Sequence, residues 1–154
     1  MKGFLLIFLG GGLGSLTRYI VSKLLPVSKN NFPLNTLITN FVGCFLIGYL
    51  VGWILNKYGY QNELYLFLVI GFCGGLTTFS TFSNESLLLL RSGNFITFLS
   101  YVLISIIGGI FLVSLGYYLN KLSTLRDKMI FDGRNVLDKP LLLKNNFKYI
   151  GLGV

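Results

Sequence analysis

The sequence predicts an all-α integral membrane protein of four transmembrane helices, the third of them broken near its middle. Three observations carry that reading. Of 154 residues, 53% are hydrophobic and only 12% charged, whereas soluble domains carry about 25% charged residues. A helix that crosses the hydrocarbon core needs roughly 20 apolar residues, and four stretches qualify, at about 4–25, 33–56, 64–90 and 95–120. The third holds a polar insert, GFCGGLTTFSTFSNE at 71–85, at a depth where polar groups cost most. One compact four-helix unit over residues 1–121 follows, with residues 122–154 left as a basic C-terminal tail.

The first span carries GGGLGSLTRY at 10–19. Gly10 and Gly14 make a small-xxx-small pair, which lets helix backbones approach closely. Lys2 followed by FLLIFLGGGLG has the outline of a signal peptide. The apolar segment, however, runs on through Arg18 and Tyr19 with no clear cleavage site, so it is read as a retained span. Arg18 has two readings: a side chain that snorkels to the interface, or a cation that draws anions into a water-filled vestibule.

The second span opens NNFPLNTLITN, where Pro33 suits the first turn of a helix. Thr36 and Asn40 are four apart and share a face. Lipid cannot satisfy the Asn40 amide, so it must face protein or water, as interhelical glue or as part of a site. Gly48 and Gly52 add a second small-xxx-small pair.

As one helix, residues 64–90 would run about 40 Å at roughly 1.5 Å per residue, well over a core of about 30 Å. The centre holds Gly74-Gly75 and Thr77-Thr78, a weak helix-forming stretch. A break there frees backbone carbonyls and amides, which are tolerated at mid-membrane only when buried in protein or bound to something. Freed carbonyls are good ligands for a hard cation such as Na⁺. After the break Phe79 and Phe82 lie on one face, and Ser80 with Asn84 and Thr81 with Glu85 are i,i+4 pairs. Such a phenylalanine pair reads first as packing. Its hydroxyl-rich setting favours an anion path, because aromatic edges are electropositive and hydroxyl donors replace part of a hydration shell.

The fourth span is mostly structural, with Ser105 and Gly109 at a close-packing spacing and Tyr117-Tyr118 as an interfacial belt before Lys121. The tail mixes charges with short apolar runs and has turn signals at Asp132-Gly133 and Lys139-Pro140. It reads as mobile or surface-lying.

Charge and composition exclude other classes. The net charge of +8 forms no basic stripe with interleaved aromatics, so nucleic acid is not a partner; the lipid bilayer is. Cys44 and Cys73 fall inside spans as small packing residues. Without histidine or a cysteine cluster a transition-metal site has nothing to build on. No nucleophile–base pair points to an enzyme. With four spans, Lys2, Lys57 and Lys121 lie on one side of the core and Lys23, Lys29 and Arg91 on the other. That balance leaves the core without a preferred orientation, while the tail favours its own side being cytoplasmic.

GGGLGSLTRY, the P-L-x-T-L-x-x-N-x-x-G-x-F-x-x-G pattern of residues 33–48, and GFCGGLTTFSTFS together resemble the CrcB/Fluc fluoride channels, over residues 3–120. The resemblance implies an antiparallel dual-topology homodimer in a bacterial plasma (inner) membrane. It would export fluoride passively through two pores at the subunit interface, around a central structural Na⁺. Phe79 and Phe82 match the pore phenylalanines, Asn40 the pore asparagine, and Ser80 and Thr81 the polar track. Gly74 and Thr77 match the positions whose carbonyls hold Na⁺, Glu85 an acid beside the pore exit, and Arg18 the first-helix arginine. The chain departs from the family at Asn35, which replaces a usual glycine. It departs also at Gly109, where serine is frequent and Ser105 is the candidate substitute, and in the tail. Such departures could mark one half of a heterodimer with a homologue. A small dual-topology transporter resembling the small multidrug-resistance proteins is the alternative, but it needs a carboxylate in the first span. The glutamates here are Glu63 and Glu85.

Overall fold

The computed structural model describes residues 1–25, 32–60, 62–124, 129–132, 137–144 and 148–151. It divides into two compact units, Met1–Asn120 and Lys121–Val154. Four helical stretches are long and apolar enough to cross a membrane: Lys2–Leu24, Leu34–Leu55, Tyr65–Arg91 and Phe95–Lys121.

Helix α1 covers Lys2–Leu24 and stops at Leu25, which turns extended. Leu25 precedes Pro26, and the residue before a proline is pushed out of the α region. Helix α2, Leu34–Lys57, starts one residue after Pro33, which stands at its N-cap rather than inside the first turn. The third span has four parts. A π-helical segment, Tyr65–Cys73, leads into one α turn, α3 (Gly74–Leu76). Two extended residues follow, and then α4 (Phe79–Arg91). The π winding, with its i→i+5 bonds, fits more residues into each turn; it shortens a span that is over-long as an α-helix. Gly93, at φ +74°, closes α4. Its amide reaches the Leu90 carbonyl (3.1 Å) while that of Asn94 reaches Leu89 (3.0 Å), a Schellman closure that favours glycine. The chain then reverses directly into α5, Phe95–Thr124.

Backbone proximity organises this unit. A Cβ at Gly10 would collide with the Phe67 carbonyl and one at Gly14 with that of Phe72, so α1 lies against the third span with backbones nearly touching. Helices α2 and α5 meet the same way where Gly48 faces the Val113 carbonyl and Gly116 that of Phe45. The buried cluster joins α2, α4 and α5 through Leu37, Leu89 and Tyr101, with Phe32, Phe41, Phe82 and Phe98 packed on it. Much of the remaining apolar surface points outward, Phe4 and Ile96 among it. Lipid or further protein covers such a surface at no cost, which water cannot do.

In the second unit, strand β1 (Met129–Asp132) pairs in parallel with β2 (Lys148–Gly151), Met129 opposite Lys148 and Asp132 opposite Gly151. Helix α6, Lys139–Lys144, lies between them in sequence. The sequence reading assigned no strand here and took Lys139-Pro140 for a turn. Instead Asp138 Oδ1 accepts the Leu141 amide (3.1 Å) and caps α6, and Pro140 sits in the first turn, where its missing N–H costs nothing. Gly133, of the other turn signal, lies outside the described residues.

Candidate functional site

The site grows from two residues, Thr77 (φ −76°, ψ 153°) and Thr78 (φ −147°, ψ 115°), whose extended backbone separates α3 from α4. Two glycines precede them and both are β-branched, so local propensity opposes a continuous helix. What fixes the interruption is tertiary. The Thr78 amide donates to Asn40 Oδ1 (2.8 Å) and Asn40 Nδ2 returns a bond to the Thr78 carbonyl (3.3 Å). In a continuous helix that amide would serve the carbonyl of Gly74; here it is turned across to α2. The Thr77 amide and hydroxyl both go to the Cys73 carbonyl, at 3.0 and 2.9 Å.

Thr78 also caps α4. Its Oγ1 accepts the Thr81 amide (3.3 Å), donates to Thr81 Oγ1 (3.0 Å) and shares a bond with Ser80 Oγ (3.2 Å). Three hydroxyls thus gather at a helix N-terminus, where the backbone dipole is positive. On the other side of the break the C-terminal, negative end of α3 meets α1. Arg18 Nη1 donates to the Thr77 carbonyl (3.2 Å) and Ser15 Oγ to that of Gly75 (3.5 Å). Gly14 brings α1 close enough for this, since Arg18 lies one turn further along the same face.

Phe79 is 80% exposed, whereas Phe82 is half-buried. Their centroids are 5.8 Å apart, and Phe82 continues onto Tyr101 at 5.1 Å. Behind the rings Glu85 is fully engaged: Oε1 accepts the Thr36 hydroxyl and Oε2 the Tyr101 hydroxyl, each at 2.8 Å.

Two grooves flank the break. One, of about 320 Å³, is mostly apolar and is lined by Asn40, Thr77, Thr78, Phe79, Phe82 and Ser105, among others. The other, of about 300 Å³, is more polar and is lined by Ser15, Arg18, Asn35, Thr36, Thr78 and Thr81, among others. Thr78 lines both. Of the residues singled out in the sequence, Asn40, Thr77, Phe79 and Phe82 therefore share one groove, and Arg18 and Thr81 the other. Exposed Ser80 joins them through Thr78. Glu85 lines neither and lies behind the rings, and Gly74 is exposed with open space beside it.

Sequence reasoning put Thr78 in the weak stretch at the break but not among the candidate site residues, and it did not single out Tyr101. Thr78 had a signal, a hydroxyl residue directly before FSTF at the start of a new helix, as an N-cap requires. Tyr101 had a weaker one, a phenol inside an apolar span that must find a hydrogen-bond partner.

The family model described as CrcB-like protein, Camphor Resistance (CrcB), matches residues 5–117. The chain belongs to the CrcB family. Several relatives carry the name fluoride-specific ion channel FluC. The one from Phocaeicola vulgatus is 45% identical over 122 residues, 79% of this chain and 100% of its own length. Those from Pyrococcus abyssi (45% over 119 residues, 77% and 96%) and Pyrococcus horikoshii (47% over 114 residues, 74% and 92%) are similar. In this CrcB chain the family match runs to residue 117, so the grooves and the break fall inside the family region.

Proposed function

We propose that this chain forms a passive, fluoride-selective channel that lets cytoplasmic fluoride leave the cell down its electrochemical gradient. Fluoride is small and strongly hydrated, so a selective path must replace its water at close range with donors and electropositive edges. The observation that carries the proposal is the Thr78 crossing, which gathers three hydroxyls and a helix N-terminus beside the Phe79–Phe82 pair. The relatives' name supports the identity of the ion. Ser80, Thr81 and Asn40 would form the polar track, and Phe79 and Phe82 the aromatic wall. Ser105, whose hydroxyl is buried without a partner among the described residues, would take the place of the fourth-helix serine absent at Gly109. Arg18 would raise the anion concentration in the polar groove, and no bond is made or broken.

Phe79 and its groove are open on one side, and the proposed pore closes there against a second chain, in an antiparallel dimer in the bacterial plasma membrane. The family further implies a structural Na⁺. The residues here fit it: the Gly74 carbonyl is released from its helical partner, and the Thr77 carbonyl is held by a side chain, that of Arg18, rather than by a rung of the helix. Two carbonyls from each of two copies would hold the ion. Its charge would balance carbonyl dipoles that converge at the break.

The decisive assay is fluoride efflux from liposomes containing the purified chain, followed with a fluoride electrode. Rapid fluoride release without chloride release is expected. A chain that releases both ions, or neither alone or with a homologous partner, is not a fluoride channel.

A further inference from the structure

We propose that Arg18 and Na⁺ compete for the carbonyl of Thr77, so that the guanidinium holds the break in its cation-free state and weakens Na⁺ binding. The inference rests on the cation site proposed above. Arg18 is half-buried within the first span, and among the described residues it makes no ion pair. The carboxylate of α4, Glu85, has both oxygens bonded to Thr36 and Tyr101. A positive charge at this depth needs compensation, and what it meets is the Thr77 carbonyl, at the negative end of a short helix.

Carbonyl dipoles facing an uncompensated cation are what a bound Na⁺ also requires. The two demands converge on one oxygen. A metal on the free lone pair of Thr77 would stand about 5 Å from the guanidinium, close enough for strong like-charge repulsion in a partly desolvated setting. Sodium therefore binds with Arg18 displaced toward the polar groove that this side chain already lines. Asn40 keeps Thr78 extended in either state, since its two bonds do not involve Thr77.

The test uses the purified full-length protein and its Arg18→Met variant. Thermal unfolding midpoints are measured against NaCl, with N-methylglucamine chloride holding ionic strength constant. The variant should reach half of its Na⁺-dependent rise at a concentration at least about tenfold below that of the wild type. A second readout needs no variant: modification of Arg18 by phenylglyoxal, located by mass spectrometry, should speed up several-fold in Na⁺. Equal half-saturation in the two proteins overturns the competition and leaves the cation site standing, as does an unchanged Arg18 modification rate where Na⁺ still raises the midpoint. Absence of any Na⁺-specific shift or change in modification in both proteins removes the site itself, and the competition with it.

Discussion

Asn40 uses both ends of its amide on the backbone of Thr78, so in the proposed channel it would hold the break as well as face the ion. Asn40→Ala would leave a buried amide and carbonyl unpaired, at about 1–3 kcal/mol each, and should lower fluoride efflux at least tenfold. Asn40→Asp retains the acceptor for the Thr78 amide; if it is as impaired as alanine in efflux while folding normally, the carboxamide donor itself is what counts. The two phenylalanines separate differently. Phe79 is almost bare in a single chain, whereas Phe82 packs on Tyr101. Phe79→Ile should abolish flux and leave the protein's unfolding temperature unchanged; Phe82→Ile should abolish flux and lower that temperature. Wild-type efflux in both variants would make the pair plain packing. At this scale the residue types were legible in the sequence because phenylalanine, asparagine and hydroxyls are conspicuous in a membrane span. Their partners were not: Glu85 to Tyr101 and Arg18 to Thr77 depend on which helices touch, which spacing within one helix cannot reveal.

The third span shows how element boundaries follow from both local and distant causes. Glycines and threonines mark a weak point at residues 74–78, and the extended pair falls within it. The π winding of Tyr65–Cys73 left no trace in composition, since YLFLVIGFC reads like any apolar helix. Close approach of α1 was foreshadowed by Gly10 and Gly14, although the matching surface on Phe67 and Phe72 was not. A leucine at Gly14 would drive α1 away from the third span and carry Arg18 and Ser15 off the break. Gly14→Leu is expected to lose efflux and to unfold many degrees lower, whereas Gly12→Leu, on open surface, should do neither. Comparable behaviour of the two variants in size-exclusion chromatography and thermal melts would show that the helices do not meet at Gly14.

For the whole molecule, the balance of charge bears on orientation and gives it a sharp test. By sequence, Lys2, Lys57 and Lys121 would fall on one side of a four-span core and Lys23, Lys29 and Arg91 on the other, and the tail would add Arg126, Lys128, Arg134 and further lysines to the first. Charges this close to a span favour retention in the cytoplasm. A single cysteine placed in the loop after α1, in a background lacking Cys44 and Cys73, should be labelled from both faces if the chain inserts both ways. Labelling from one face would instead require an oppositely oriented homologue to complete an antiparallel pair. The number and approximate limits of the spans were readable from hydropathy alone. The βαβ arrangement of the second unit was not, because strands of four residues carry too little pattern to stand out from a charged, irregular stretch. The π winding has a last implication. Residues Tyr65–Cys73 cross less of the bilayer than nine residues of α-helix would, so the span hides surplus length in its girth. Deleting one residue there and restoring an ordinary pitch would swing everything downstream around the axis, and the Thr78 crossing would no longer find Asn40.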